Sequence, residues 1–156
     1  TGDISVFVWL KGNSIRGDWN IFFTKWFADT IGTSGGSDFH YDLYNNGVNI
    51  YQRIFTTSKS NMIGTIPLNN NTWYQVGFTI SSGNLQMYLN GATDGAVISG
   101  AARTNQTNAN LFLGDPRTNG LVTYNGYIGS VQIYNRALTQ EEVFQNFNAT
   151  KHKYGL

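Results

Sequence analysis

The stretch WYQVGFTISSGNLQMYLNG, residues 73–91, decides the fold. Turned about Ser81-Ser82-Gly83-Asn84, it sets Ile80 against Leu85, Phe78 against Met87 and Val76 against Leu89. All six are apolar, the alternation of two paired strands with one face against a core. On the reverse face Tyr88 falls opposite Gly77, where a ring covers a position that has no side chain. The stretch contains no acid, no histidine and no metal-ligand cluster, so the hairpin reads as scaffold.

Working outward, Ile4 to Lys11 alternates Val6, Val8 and Leu10 with Ser5, Phe7 and Trp9. Substantial side chains on both faces predict a strand lying between two layers. Trp19 to Ala28 is a second apolar, aromatic segment, followed by a Gly/Ser/Thr turn cluster from Thr30 to Ser37. Phe39 to Tyr44 and Val48 to Phe55 flank Asn46-Gly47, the pair that supplies the positive φ angles of a type I′ turn. A two-residue hairpin there sets Leu43 opposite Ile50 and Phe39 opposite Ile54 on one face. The other face pairs Tyr44 with Asn49, Asp42 with Tyr51 and His40 with Arg53.

Downstream, a weak segment lies at Ala96 to Ser99, a short strand at Leu111 to Leu113 and a longer one at Gly126 to Tyr134, separated by polar loops. Leu138-Thr139-Gln140-Glu141-Glu142-Val143 predicts a helix start, with Thr139 as N-cap, Glu142 closing a capping box and Leu138 stapled to Val143. No linker and no internal repeat interrupts residues 1–156, so the expectation is one domain. Because it begins with Thr, the reading also expects a piece of a longer protein.

Composition narrows the partners. Charged residues make up 12%, the net charge is +1 and the ten Lys and Arg are scattered, which speaks against a nucleic-acid footprint. No apolar run approaches the roughly 20 residues of a membrane span, so no membrane insertion is expected. With no Cys, stability has to come from packing and sheet hydrogen bonds. Aromatics at 15%, 18 Gly and only 2 Pro suit a turn-rich all-β protein.

One face combines rings with hydrogen-bonding groups: His40, Asp42, Tyr44, Asn49, Tyr51 and Arg53. Sugars offer apolar C–H faces that stack on rings and hydroxyls that match Asp, Asn and Arg, so these six are the candidate carbohydrate-binding residues. Tyr and Arg serve equally as anchors of protein interfaces. Catalysis is not expected. A glycosidase needs two facing carboxylates, whereas the two Glu of this chain, Glu141 and Glu142, are adjacent at a helix start. No cofactor is required by any motif. Calcium is the cation that suits the oxygen-rich loops, with Asp115 and Asn119 as candidate ligands beside Asn125 and Asp94; Asx turns explain the same residues without a metal.

Together, WYQVGFTISSGNLQMYLNG (73–91), LFLGD (111–115) and NGYIGSVQIYNRALTQEEV (125–143) resemble the laminin-G-like, concanavalin-A-like lectin/glucanase superfamily, and ISVFVWLK (4–11) and FFTKW (22–26) fit its earlier strands. The resemblance implies an all-β fold, a two-sheet antiparallel jelly-roll sandwich with one short C-terminal helix. It also implies a strand before Ile4, preceded here by only Thr1 to Asp3, and acids in the last strand that help a structural calcium site, where this chain has Gly129 and Ser130. The function expected is a non-catalytic, lectin-like module binding carbohydrate on a larger extracellular, cell-surface or virion protein. FNATKHKYGL (147–156) resembles laminin-G-like segments of phage structural proteins, so the alternative is a virion decoration module. It would bind neighbouring protein subunits, or assemble as a homo-oligomer, through an open sheet edge.

Overall fold

The computed structural model describes residues 2–14, 20–26, 39–46, 49–55, 59–100, 110–114 and 124–156; within 39–63 it describes backbone pairing, with side-chain burial for Leu43 and Tyr44. The strands are β1 (Ile4–Gly12), β2 (Asn20–Trp26), β3 (Phe39–Asn46), β4 (Asn49–Phe55), β5 (Lys59–Ile63), β6 (Trp73–Ser81), β7 (Asn84–Leu89), β8 (Ala92–Thr93), β9 (Asn110–Leu113) and β10 (Gly126–Tyr134). They are followed by helix α1 (Gln140–Thr150) and a 3-10 turn, Lys151–Tyr154.

Two antiparallel five-stranded sheets result. Sheet A runs β10-β1-β6-β7-β8 and sheet B runs β5-β4-β3-β2-β9. Val6, Val8 and Leu10 of β1, Val76, Phe78 and Ile80 of β6 and Leu85, Met87 and Leu89 of β7 meet Phe22, Phe23 and Leu43 of sheet B in one buried core. The alternation of β1 does what its sequence predicts. Phe7 and Trp9 are also buried, on the opposite face, beneath α1 and the chain's last residues.

The β6–β7 register is the predicted one, with Val76 opposite Leu89, Phe78 opposite Met87 and Ile80 opposite Leu85. Ser82 (φ 47°) and Gly83 (φ 79°) occupy the left-handed positions that a type I′ turn demands. Asn90 (φ 50°) and Gly91 (φ 80°) repeat the device and begin β8, a strand too short for alternation to reveal. Gly77 does lie opposite Tyr88, but it is Phe7, from the strand on its other side, whose ring takes the space a Cβ would need.

The β3–β4 register departs from the predicted one by two residues. Asn46 pairs with Asn49, so Tyr44 stands opposite Tyr51, Asp42 opposite Arg53, Leu43 opposite Gln52 and Asn45 opposite Ile50. Alternation fixes which face a residue takes and not which partner it meets, so a slip of two leaves the paired residues Tyr41 to Asn46 and Asn49 to Ile54 on their predicted faces. The register adopted sets Tyr44 opposite Tyr51 and Asp42 opposite Arg53. The β5 strand, which continues this sheet, was not evident in the sequence pattern.

In β2 the pairing with β3 shifts between Ile21 and Phe23, and the bulge lets both Phe22 and Phe23 enter the core. Helix α1 starts as predicted. The Thr139 side chain accepts from the Glu142 N–H and the Glu142 side chain accepts from the Thr139 N–H. Leu138 and Val143 pack with Phe7 and Tyr88, fixing the helix to the outer face of sheet A. Among the described residues no helix is long and apolar enough to cross a membrane.

Candidate functional site

Sheet B carries the predicted carbohydrate face at register positions on two neighbouring strands. Asp42 and Arg53 form one direct pair, Tyr44 and Tyr51 the next, and Asn49 closes the set opposite Asn46; His40 lies two residues before Asp42 on β3. Arg53 and Tyr51 pair onward to Asn61 and Ile63 of β5. The slip in register therefore brings Asp42 and Arg53, expected as diagonal neighbours, directly opposite each other.

Tyr44 is only 2% exposed, so its ring is not an open stacking platform. It sits on an interior strand opposite Ile21, itself buried, and Thr24, the β2 partner of Asp42, is buried as well. The Thr24 hydroxyl has no hydrogen-bond partner there. Sheet B is thus enclosed on both faces where β2 meets β3.

The loop candidates for calcium divide. Asp115 and Asn119 lie outside the described residues. Asp94 is buried and fastens a turn, accepting from the Thr65 N–H at 2.6 Å and the Thr65 hydroxyl at 2.7 Å. Asn125 ties the start of β10 to the end of β1: its carbonyl accepts from the Asn13 N–H at 2.9 Å, and its side-chain oxygen from the Asn13 amide at 3.3 Å. Among the described residues no three His, Cys, Asp or Glu side chains gather as a metal site.

Other acids serve local structure. Asp3 accepts from the Ser82 N–H at 2.9 Å, holding the β6–β7 turn. Glu142 receives both guanidinium nitrogens of Arg136 at 2.7 Å and the Thr139 N–H at 2.9 Å. Arg136 first, and the Thr139 N–H second, hold the Glu142 carboxyl down at about 2, and the same contact raises Arg136.

A second cluster, not evident in the sequence pattern, lies on the outer face of sheet A. Lys11 of β1 is paired with Trp73 of β6 on one side and Tyr127 of β10 on the other, so three strands set the three side chains in one row. The Lys11 ammonium lies over both rings, 5.4 Å from the Trp73 centroid and 4.8 Å from that of Tyr127. Behind them Tyr154 stacks on Trp9 at 4.1 Å and tilts against Trp73 at 4.7 Å, while Phe147 stacks on the other part of Trp9 at 5.7 Å. The Trp9 indole N–H donates to Thr150 Oγ1 at 3.2 Å. Gly129 and Ser130, where the family resemblance implies acids, make room for this tail. The Tyr154 hydroxyl accepts from the Ser130 N–H at 2.9 Å and donates to Ser130 Oγ at 3.0 Å. Sequence spacing gives no signal for this row, because Lys11, Trp73 and Tyr127 become neighbours only once the order β10-β1-β6 is known.

The same two-layer architecture recurs in solved structures. The receptor binding domain of botulinum neurotoxin type G superposes with a TM-score of 0.70 at 15% identity, over 96% of this chain and 38% of that one. The binding domain of Paraclostridial Mosquitocidal Protein 1 gives 0.68 at 15% identity, over 95% and 37%. Domain 4 of AbnA, an extracellular arabinanase of Geobacillus stearothermophilus solved with arabinotriose, gives 0.68 at 17% identity, over 92% and 66%. The chain thus spans under two-fifths of each toxin domain and less than two-thirds of the arabinanase domain, and at these identities the likeness is one of fold. A search of curated protein sequences finds no match. Residues 1–144 match a laminin-G family model, leaving Phe147 and Tyr154 beyond its end, and the chain belongs to the concanavalin A-like lectin/glucanases superfamily.

Proposed function

We propose that this domain is a non-catalytic recognition module that binds carbohydrate and is carried on a larger extracellular, cell-surface or virion protein. The observation that carries the reading is the β3–β4 register, which sets Asp42 directly opposite Arg53, with Tyr51 two residues away from Arg53 on the same strand and face. A ring next to paired hydrogen-bonding groups suits a saccharide, whose faces are apolar and whose edges are hydroxylated. The fold neighbours lend support, since two are receptor or binding domains and a third is a domain solved with arabinotriose. A non-catalytic role is supported by three of the described acids, as Asp3, Asp94 and Glu142 are committed to turns and a helix cap. A glycan array followed by calorimetry with Tyr51→Ala and Arg53→Ala tests the reading. Binding that disappears from the variants while their fold survives is the expected result; no binding to any glycan class removes it.

A second reading, a structural or decoration module that binds protein subunits, is favoured by β10. That strand is nine residues long, uncharged, and the outermost of sheet A, with Tyr127 and Ile133 exposed. Long uncharged edges invite another strand. The edges β5, β8 and β9 are shorter, at five, two and four residues.

A further inference from the structure

Helix α1 and the tail cover the outer face of sheet A where β1 carries Phe7 and Trp9, and their cover ends at the row that carries Lys11. There Tyr127 is 55% exposed, Trp73 and Lys11 are partly exposed, and Tyr154 forms a back wall against Trp73. Asn13 and Asn125, both exposed and hydrogen-bonded to each other, make a polar lip where β1 ends and β10 begins.

Charge is distributed unevenly about this row. Asp3 sits at the far end of β1 beside the β6–β7 turn, and Glu141 and Glu142 occupy the first turn of α1. The other end of the helix leads through Lys151, His152 and Lys153 to Tyr154, so basic residues accompany the ring that backs the platform. An ammonium held over two ring faces gives up freedom of motion and still has N–H donors to offer, and so meets an anion already positioned.

We infer that the Tyr127–Lys11–Trp73 row is a subsite for a carboxylate-bearing sugar, a uronate or a sialate. The sugar's apolar face lies on the Tyr127 ring, its carboxylate takes a charge-assisted hydrogen bond from Lys11, and Asn13 and Asn125 meet its hydroxyls. The inference rests on the carbohydrate reading but not on the β3–β4 face, which belongs to the other sheet.

Calorimetry with sialyllactose and trigalacturonate, compared with lactose and methyl-esterified trigalacturonate, tests it. The acidic sugars are expected to bind roughly tenfold or more tightly than their neutral counterparts, by the usual worth of a charge-assisted hydrogen bond. Lys11→Gln should remove that preference; Lys11→Arg should keep most of it; Tyr127→Ala should weaken both classes. In the unaltered protein, raising salt should erode acidic binding alone, a readout that needs no variant. Equal affinity for acidic and neutral sugars, or an acidic preference untouched by Lys11→Gln, overturns the subsite and leaves the proposed function standing. Failure to bind any sugar on the array overturns both.

Discussion

At the scale of the residue, the β10 bulge shows how one missing side chain organises several others. Between the pairs Val8–Val131 and Leu10–Ile128, both Gly129 and Ser130 stand across from Trp9, where the ladder has room for one. The Tyr154 hydroxyl takes the Ser130 N–H, and its ring lies flat on Trp9. A Cβ at position 129 would stand 2.7 Å from that hydroxyl, so glycine is required by proximity rather than by a positive φ. Gly129→Ala is therefore expected to destabilise the protein by about 1–2 kcal/mol, the usual penalty of overfilling a packed site. In a Tyr154→Ala background the same change should cost little, because the ring it displaces is gone. Urea denaturation of the two single variants and the double variant measures this coupling, and strict additivity would show that the ring does not set the requirement.

At the scale of the element, helix α1 and the β3–β4 hairpin make contrasting cases. The helix start is local chemistry. Thr139, Glu142 and Arg136 lie within seven residues, and their hydrogen bonds close on one another. Glu142 is held at about 2, below the ordinary carboxylate value, so its contribution is fully present above the unfolded value near 4.3 and is lost as pH falls toward 2. Urea midpoints between pH 6 and 2.5 should show the wild type losing its advantage over Glu142→Gln across that window. A constant difference between the two would mean that the carboxylate's charge is not what the helix start uses. The hairpin's register, by contrast, is not local. An engineered Asp42→Cys/Arg53→Cys pair should form a disulfide readily, whereas Asp42→Cys/Tyr51→Cys should not, since only direct partners bring Cα atoms within the 4.4–6.8 Å or so that a disulfide spans. The chain has no native Cys to compete. Mass spectrometry after mild oxidation reads the outcome, and cross-linking of the second pair alone would restore the register expected from the Asn-Gly turn.

At the scale of the whole molecule, β1 is the strand on which both layers depend. Its Val6, Val8 and Leu10 enter the core between the sheets, and its Phe7 and Trp9 hold the helix and tail. Those two periodic sets are readable in ISVFVWLK without any coordinates, as are the β6–β7 pairing and the helix cap, because each rests on residues near in sequence whose spacing has one physical solution. On the β3–β4 hairpin alternation assigned Asp42, Tyr44, Asn49, Tyr51 and Arg53 to one face, and the observed register keeps these five together. What alternation cannot encode is burial of a face by distant chain, and Tyr44 is enclosed although its polar neighbours suggested an open surface. Nor can it encode adjacency across a sheet, on which the Tyr127–Lys11–Trp73 row depends. By itself the sequence determined the strands other than β5 and β8, the scaffold hairpin and the capped helix, since short-range periodicity and turn chemistry are sufficient causes of each. The tertiary structure alone decided which strands are neighbours, which partner each residue meets and where Tyr154 docks, because those outcomes follow from packing that local periodicity does not encode, including contacts such as Trp9 with Thr150 and Ser5 with Leu138 across the length of the chain.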